Sequence, residues 1–233
     1  MKTLFLAVLA LVANGAAPAA SLLVKPTTVM LSRGASAAAI TVTNSGDTPV
    51  TAQVRVFAWD QSSNEDQLNQ TTALAASPPM MTIAAGQSQV IRLVRVATAL
   101  AQREETYRVL VDEIAERAAA TTPGVAIQLR YSVPVFVMPR PRDTANLSLK
   151  AEMASDELLI DAANRGQAHA QVSNVSLAYA DGSSIVVGAG LIGYVLPDKS
   201  RQWRLRLPAR APNQGQPQSV RAVVNGQELV VAL

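Results

Sequence analysis

Residues 125–137 read Val-Ala-Ile-Gln-Leu-Arg-Tyr-Ser-Val-Pro-Val-Phe-Val, with Val, Ile, Leu or Tyr at every odd position and Ala126, Gln128, Arg130 and Ser132 at even ones. Side chains alternate across a strand, so this run carries one apolar face along its whole length. An ordinary strand has about five or six residues. A pattern of this reach is long enough to pair in its own sheet at one end and to offer apolar side chains to a partner at the other. The alternative is that all of them complete their own core.

The rest of the chain supplies that core without chemistry of its own. Of 233 residues, 49% are apolar and 16% charged, which suits a globular chain; at about 100 to 200 residues per domain, two domains fit the pattern. There is no cysteine, which excludes disulfides, a thiol nucleophile and a cysteine metal site. His169 is the only histidine, so a histidine-cluster metal site is excluded, and its polar, alanine-rich context reads as a surface or strand position rather than part of a triad. The chain is read as a non-enzyme with no cofactor and no metal.

Residues 1–20 have the form of a cleaved secretory signal. Lys2 is a short positive start, residues 4–13 an apolar core, and Ala17, Pro18, Ala19 and Ala20 the small residues before the cut. No later apolar run reaches the roughly 20 residues of a spanning helix, so no stable membrane insertion is expected. Arg201, Arg204, Arg206 and Arg210 cluster near Trp203. With a formal net charge of +3 and only 4% aromatic residues, they read as a solvated strand face, with no nucleic-acid partner.

From Leu22 to Met138 short alternating runs are parted by turn clusters: residues 44–49, a polar loop over 60–70, Ser77-Pro78-Pro79, Ala85-Gly86-Gln87 and residues 121–124. Val50, Ala52, Val54, Val56 and Ala58 share one parity, with Phe57 and Trp59 on the other, so both faces of that strand are partly covered. About seven short strands in this length predict an immunoglobulin-like sandwich, with a closed barrel as the alternative. Pro139-Arg140-Pro141-Arg142-Asp143 is a stiff link, dividing residues 21–139 from residues 140–233. The second part repeats the grammar more weakly and contains the best hairpin signal, Asn225-Gly226. The fold expected is all-β: two immunoglobulin-like antiparallel β-sandwich domains set at an angle, with no helix longer than two turns.

Six stretches then carry a resemblance: Ile40-Thr-Val-Thr-Asn44, Val54-Arg-Val-Phe-Ala-Trp59, Ser77-Pro-Pro79, Gly86-Gln-Ser-Gln-Val-Ile-Arg-Leu-Val94, Tyr107-Arg-Val-Leu-Val-Asp-Glu-Ile114 and Arg130-Tyr-Ser-Val-Pro-Val-Phe-Val137. In order and spacing they resemble the first domain of periplasmic pilus-assembly chaperones of the chaperone-usher pathway, and in wording the archaic branch. The resemblance implies a periplasmic protein that binds pilus subunits by donating a β-strand to their incomplete immunoglobulin-like fold and delivers them to an outer-membrane usher. It places Val125, Ile127 and Leu129 on the donor positions, with Tyr131 as a fourth, and implies a cis bond at Ser77–Pro78. An exposed donor strand would need covering in the free protein, by the preceding loop or by a self-capping dimer.

The chain departs from the better-known branch at one functional point. There a lysine late in the long strand and an arginine on the first strand clamp the subunit's terminal carboxylate; the matching positions here are Pro134 and Thr28. The expected replacements are Arg92, Arg95, Arg130 and Lys25, with Arg92 favoured because it lies between Val90 and Val94 on one strand face and is costly there unless paired. The competing reading pairs Arg92 with Glu104, Glu105 or Asp112. Further departures are Ala115 in place of a proline and Met138 in place of a domain-bridging arginine, for which Arg140 or Arg142 is a substitute. Two other function classes remain open: a structural pilus component or adhesin, and a periplasmic ligand-binding module. Residues 21–30 are short for a subunit's complementing arm, and the chain is poor in the aromatics of a ligand pocket.

Overall fold

The computed structural model describes residues 22–97, 99–114, 128–139, 144–208 and 215–233. The first strands are β1 (Leu22–Lys25), β2 (Val29–Leu31), β3 (Ala37–Asn44), β4 (Val50–Ser62), β5 (Glu65–Gln70), β6 (Leu74–Ser77), β7 (Met80–Ile83), β8 (Ser88–Arg95), β9 (Glu105–Ile114) and β10 (Arg130–Val137). The later ones are β11 (Leu147–Ala154), β12 (Glu157–Asn164), β13 (Ala170–Tyr179), β14 (Ser184–Val195), β15 (Ser200–Arg206), β16 (Pro217–Val224) and β17 (Gln227–Ala232). No helix occurs among the described residues.

The strands form two immunoglobulin-like sandwiches. In the first, a sheet ordered β1-β3-β8-β6 faces one ordered β2-β10-β9-β4-β5, with β7 also on β4. Alternate side chains of both sheets, among them Ile40, Val42, Ile91 and Leu93 from one and Val109, Val111, Val133 and Val135 from the other, meet in one core. In the second, β11-β12-β15 faces β14-β13-β16-β17 around Leu158, Ile160, Val172, Leu177 and Val220. Asn225 and Gly226, both at positive φ, form the two-residue turn from β16 to β17 that their sequence predicts.

Two features of the first sandwich differ from the sequence reading. Its first edge strand is divided: β1 runs antiparallel to β3, Pro26 breaks the run, and β2 pairs with β10 in the one parallel pairing among the described residues. The polar stretch read as a loop over 60–70 is a hairpin, with Ser63 and Asn64 at positive φ turning β4 into β5. Every residue of β5 is exposed, so no hydrophobic period marks it. Lys25–Pro26 and Ser77–Pro78 are cis.

The sandwiches meet where β4 and β10 turn their second face outward. Trp59 and Phe136 pack there with Tyr194 and Leu196 as a buried aromatic cluster. Gln61 donates to the Tyr194 carbonyl at 2.9 Å and accepts from the Leu196 N–H at 3.0 Å, as a strand neighbour would. His169 is no surface residue: its ring stacks on Phe136 at 3.5 Å, and its N–H and Nδ1 lie 3.0 and 2.9 Å from the two oxygens of the buried Glu104 carboxylate.

Each sandwich is pinned at the same corner by a buried asparagine. Asn44 donates to the carbonyls of Thr48 and Ile83 and accepts from Gly46; Asn164 donates to Ala168 and Val195 and accepts from Gly166 and Asn146. A Cβ on Gly166 would lie 2.4 Å from the Thr144 carbonyl oxygen, so the second corner closes only around glycine. Replacing Asn164 by Leu keeps the volume but strands several buried polar groups. It is expected to cost about 2 to 4 kcal/mol, read as a lowered urea midpoint by circular dichroism; an unchanged midpoint would refute the corner's role.

Candidate functional site

The candidate site is the edge of β10. One side of this strand pairs with β9 from Arg130 to Val137, whereas the other pairs with β2 only from Val135 to Val137. Among the described residues, the main chain of 130–134 is therefore unpaired on that side. Pro134 belongs in such a place, because a residue without an N–H fits a strand where no ladder partner requires one. The described strand begins at Arg130, five residues later than the alternation predicts. Val125 and Ile127 lie outside the described residues, while the Leu129 carbonyl accepts from the Glu113 N–H at 2.9 Å and extends the pairing by one residue.

Leu129 and Tyr131 are both partly buried against the first core. The Tyr131 hydroxyl donates to the Leu22 carbonyl, tying the open edge of β10 to β1 in the facing sheet. On the outward face, Asp112 sits between two guanidiniums: Arg55 donates twice to Oδ2, at 2.7 and 3.1 Å, and Arg130 donates to Oδ1. Burial works against the charge on Asp112, but the hydrogen bonds from Arg130 and Arg55 prevail and hold the carboxyl below its ordinary range. This cluster clamps β4, β9 and β10 together at the point where the long strand enters its sheet.

The expected anchor cations are not brought together. Arg95 is committed inward: it grips Glu105 through two bonds of 2.8 and 2.7 Å and donates to the carbonyls of Ala97 and Ala99. The same Glu105 accepts from Tyr107, whose phenol is pushed up to about 12 by burial and the neighbouring carboxylate. Arg130 is held by Asp112. Lys25 and Arg92 are exposed, with no ion pair among the described residues. Both lie on the outward face of the sheet that does not contain β10, since their neighbours Val24, Ile91 and Leu93 fill the core. Glu104, Glu105 and Asp112, the acids offered as Arg92's partners, are taken by His169, Arg95 and the Arg55–Arg130 pair.

One cation that the sequence reading passed over lies on the outward face of the sheet that contains β10. Arg108 stands directly across from Pro134, with its guanidinium carbon 3.7 Å above the Trp59 ring. In Tyr107-Arg108-Val109 it looks like any polar residue of an alternating strand. Only the parity of Trp59 and Phe136, both outward and both aromatic, hints that this face is covered.

A family model described as the pili and flagellar-assembly chaperone, PapD N-terminal domain, matches residues 21–142. No curated protein matches the chain. Among solved structures, a chain of the CsuC–CsuE chaperone–tip adhesion subunit pre-assembly complex, from the archaic chaperone-usher Csu pili of Acinetobacter baumannii, is 21% identical. The match covers 91% of this chain and 97% of that one with a TM-score of 0.65. A chain of the Salmonella enterica SafA pilin in complex with the SafB chaperone is 17% identical, with 94% and 99% covered and a TM-score of 0.62. The E. coli chaperone DraB is 21% identical, with 91% and 96% covered and a TM-score of 0.57. These likenesses are of fold.

The clamp at Asp112 has a pH signature. A carboxyl depressed in the folded state adds stability that is full above its unfolded value of about 3.9 and is lost as pH falls through the lower folded one. Asp112→Asn is expected to cost about 1 kcal/mol at neutral pH, modest because both arginines reach solvent. The melting-temperature gap to the wild type should shrink as the pH is lowered through that window; a gap constant from pH 7 to 2 would mean that the charge on Asp112 does not stabilise the clamp.

Proposed function

The chain belongs to the pilus and flagellar-assembly chaperone family, which is non-enzymatic, and on that premise we propose that it holds pilus subunits in the periplasm by lending them the open edge of β10. The observation that carries this is the one-sided pairing of 130–134 in a strand that is buried on both faces from Val133 onward. Main-chain groups on that edge would bond a subunit strand, and Val125, Ile127 and Leu129, with Tyr131, would enter its open core. Each buried side chain contributes about 1.5 to 3 kcal/mol, less the cost of ordering the segment that bears it. Leu129 and Tyr131 already rest partly on their own core, so the first two positions carry most of the gain.

Residues 1–20 serve as the export signal in this reading, residues 21–139 form the strand-lending domain and residues 140–233 the second one. Delivery to an outer-membrane usher follows from the family. The same open edge is a surface that a second copy of the chain would cover in a self-capped dimer.

Two substitutions separate lending from self-burial. Val135 is fully buried between β2 and β9, so Val135→Asp is expected to unfold the domain. Ile127→Asp should leave the melting temperature within a few degrees of wild type, yet abolish the solubility that co-expression confers on a secreted subunit. If Ile127→Asp unfolds the protein as Val135→Asp does, residues 125–129 are core and the strand is not lent.

A further inference from the structure

An open sheet edge pairs with any strand that reaches it, so folded proteins guard their edges with charges, prolines, bulges or short length. Apart from the β10 edge, nearly every edge among the described residues has such a guard. β1, β2, β6 and β7 have only three or four residues, and a proline lies next to β1, β6 and β7. β5 carries Glu65 and Asp66, β11 carries Lys150 and Glu152, and β15 carries three arginines. β14 loses even register with β13 at several points. β17 is the exception. Its six residues pair in unbroken register with β16 on one side and with no described strand on the other, and its one charge is Glu228.

The main chain shows which residues of β17 face the open side. Main-chain groups alternate between the two edges of an antiparallel strand. The Leu233 N–H donates to the Gln218 carbonyl at 3.0 Å, toward β16. Leu229 and Val231 share its parity and turn their N–H and C=O groups the same way. Glu228, Val230 and Ala232 therefore turn theirs to the free edge. The side chains of these three are exposed, 53% for Val230, whereas Leu229 and Val231 are half-buried on the other face. The tight Asn225-Gly226 turn holds the strand against β16, so the edge is presented ready to pair.

We propose that a second copy of the chain docks on this edge through its own β17, in an antiparallel pair about a two-fold axis at Val230. The proposal is independent of strand lending and uses no residue of β10. Self-pairing about a two-fold axis closes on itself and leaves no further edge to extend. With the axis at Val230, that residue faces its counterpart and Glu228 faces Ala232. All three edge-turned residues are then used, in about six main-chain hydrogen bonds. The two Glu228 side chains stand four residues apart along the seam, about 14 Å, which is beyond the screening length of roughly 8 Å in physiological salt. An axis at Glu228 would set the two acids face to face, and one at Leu229 or Val231 would form only about four bonds. The uncharged run from Leu229 to Ala232 thus pairs best with itself, and the sheet continues from one copy into the next. A contact of this length is at the low end of interface sizes, so a Kd of about 10 to 100 μM is expected.

The test is sedimentation of the full mature chain from about 5 to 500 μM, a range that brackets this Kd. The weight-average mass should rise from monomer toward dimer. Val230→Lys sets two like charges on the axis through a side chain outside the core; it should weaken the dimer about tenfold or more and leave the melting temperature within a few degrees. Val230→Thr, of similar shape and strand preference, should keep the dimer. The chain has no cysteine, so Val230→Cys adds its only thiol. Directly opposed residues lie within disulfide reach, and mild oxidation should cross-link this variant; Val186→Cys, as exposed but on the opposite edge strand, should stay uncross-linked at the same concentration. If Val230→Lys does not fold, the comparison of the two cysteine variants decides. A mass that stays monomeric throughout overturns the pairing, as does a dimer that Val230→Lys leaves unchanged, which would place the contact elsewhere. A monomeric chain whose Val230→Lys variant loses subunit binding also overturns it, in favour of a client strand on β17.

Discussion

Everything in this molecule hangs on the fact that β10 is buried on both faces from Val133 to Val137 but paired along one of its edges only over Val135–Val137. Val133, Val135 and Val137 face the first core, and Phe136 carries the second sandwich on the opposite side. A strand held this way cannot swing out when its free edge is used, because both sets of side chains would leave their cavities together. An open edge on a loose strand would invite uncontrolled pairing; here it is presented by a rigid strand and ends where β2 closes it. The Asp112 clamp and the bond from Tyr131 to Leu22 complete the framing at the other end.

The junction of the two sandwiches obeys a separate rule, which is that buried polar groups need partners. The Glu104 side chain is inaccessible to solvent, and a single contact would leave one of its oxygens unmet; the backbone N–H and ring of His169 supply both. Gln61 does the same for the main chain of Tyr194 and Leu196. These fixed partners bind the sandwiches without an arginine at position 138, the place where the resemblance led one to expect a bridge. Arg140 and Arg142 lie outside the described residues.

How far the sequence could be read follows from which interactions leave a period in it. Strands with one face in a core show alternation, and β3, β4, β8, β9 and most of β10 were legible for that reason. The Asn225-Gly226 turn was legible because its backbone needs positive φ. The hairpin to β5 was not, since its side chains all face solvent and only Ser63-Asn64 marks the turn. The parallel pairing of β2 was hidden because a three-residue strand has no period to show. His169 and Arg108 were misjudged or passed over for a common reason: what decides their environment is the other sandwich, packed on a face that local pattern describes as polar. Among the anchor candidates, arginine spacing along β8 could not reveal that Arg95 turns to Glu105 while Arg92 faces away from β10.

Why a chain should leave one guanidinium without a carboxylate, when every acid near β9 is already in use, is a question of relative energies. Paired charges gain the charge-assisted bond but satisfy one another, and a satisfied cation offers little to an incoming anion. A cation buried with nothing beside it would lose its proton or force the site open. Stacking on Trp59 and Tyr194 lies between these limits: about 1 to 2 kcal/mol of cation–π attraction keeps the guanidinium in place, while Asp66 opposes the pull of burial on its charge. The aromatic cluster that joins the sandwiches is therefore also what holds Arg108. A change that loosened Trp59 against Tyr194 would release the cation together with the junction, because the same rings hold both.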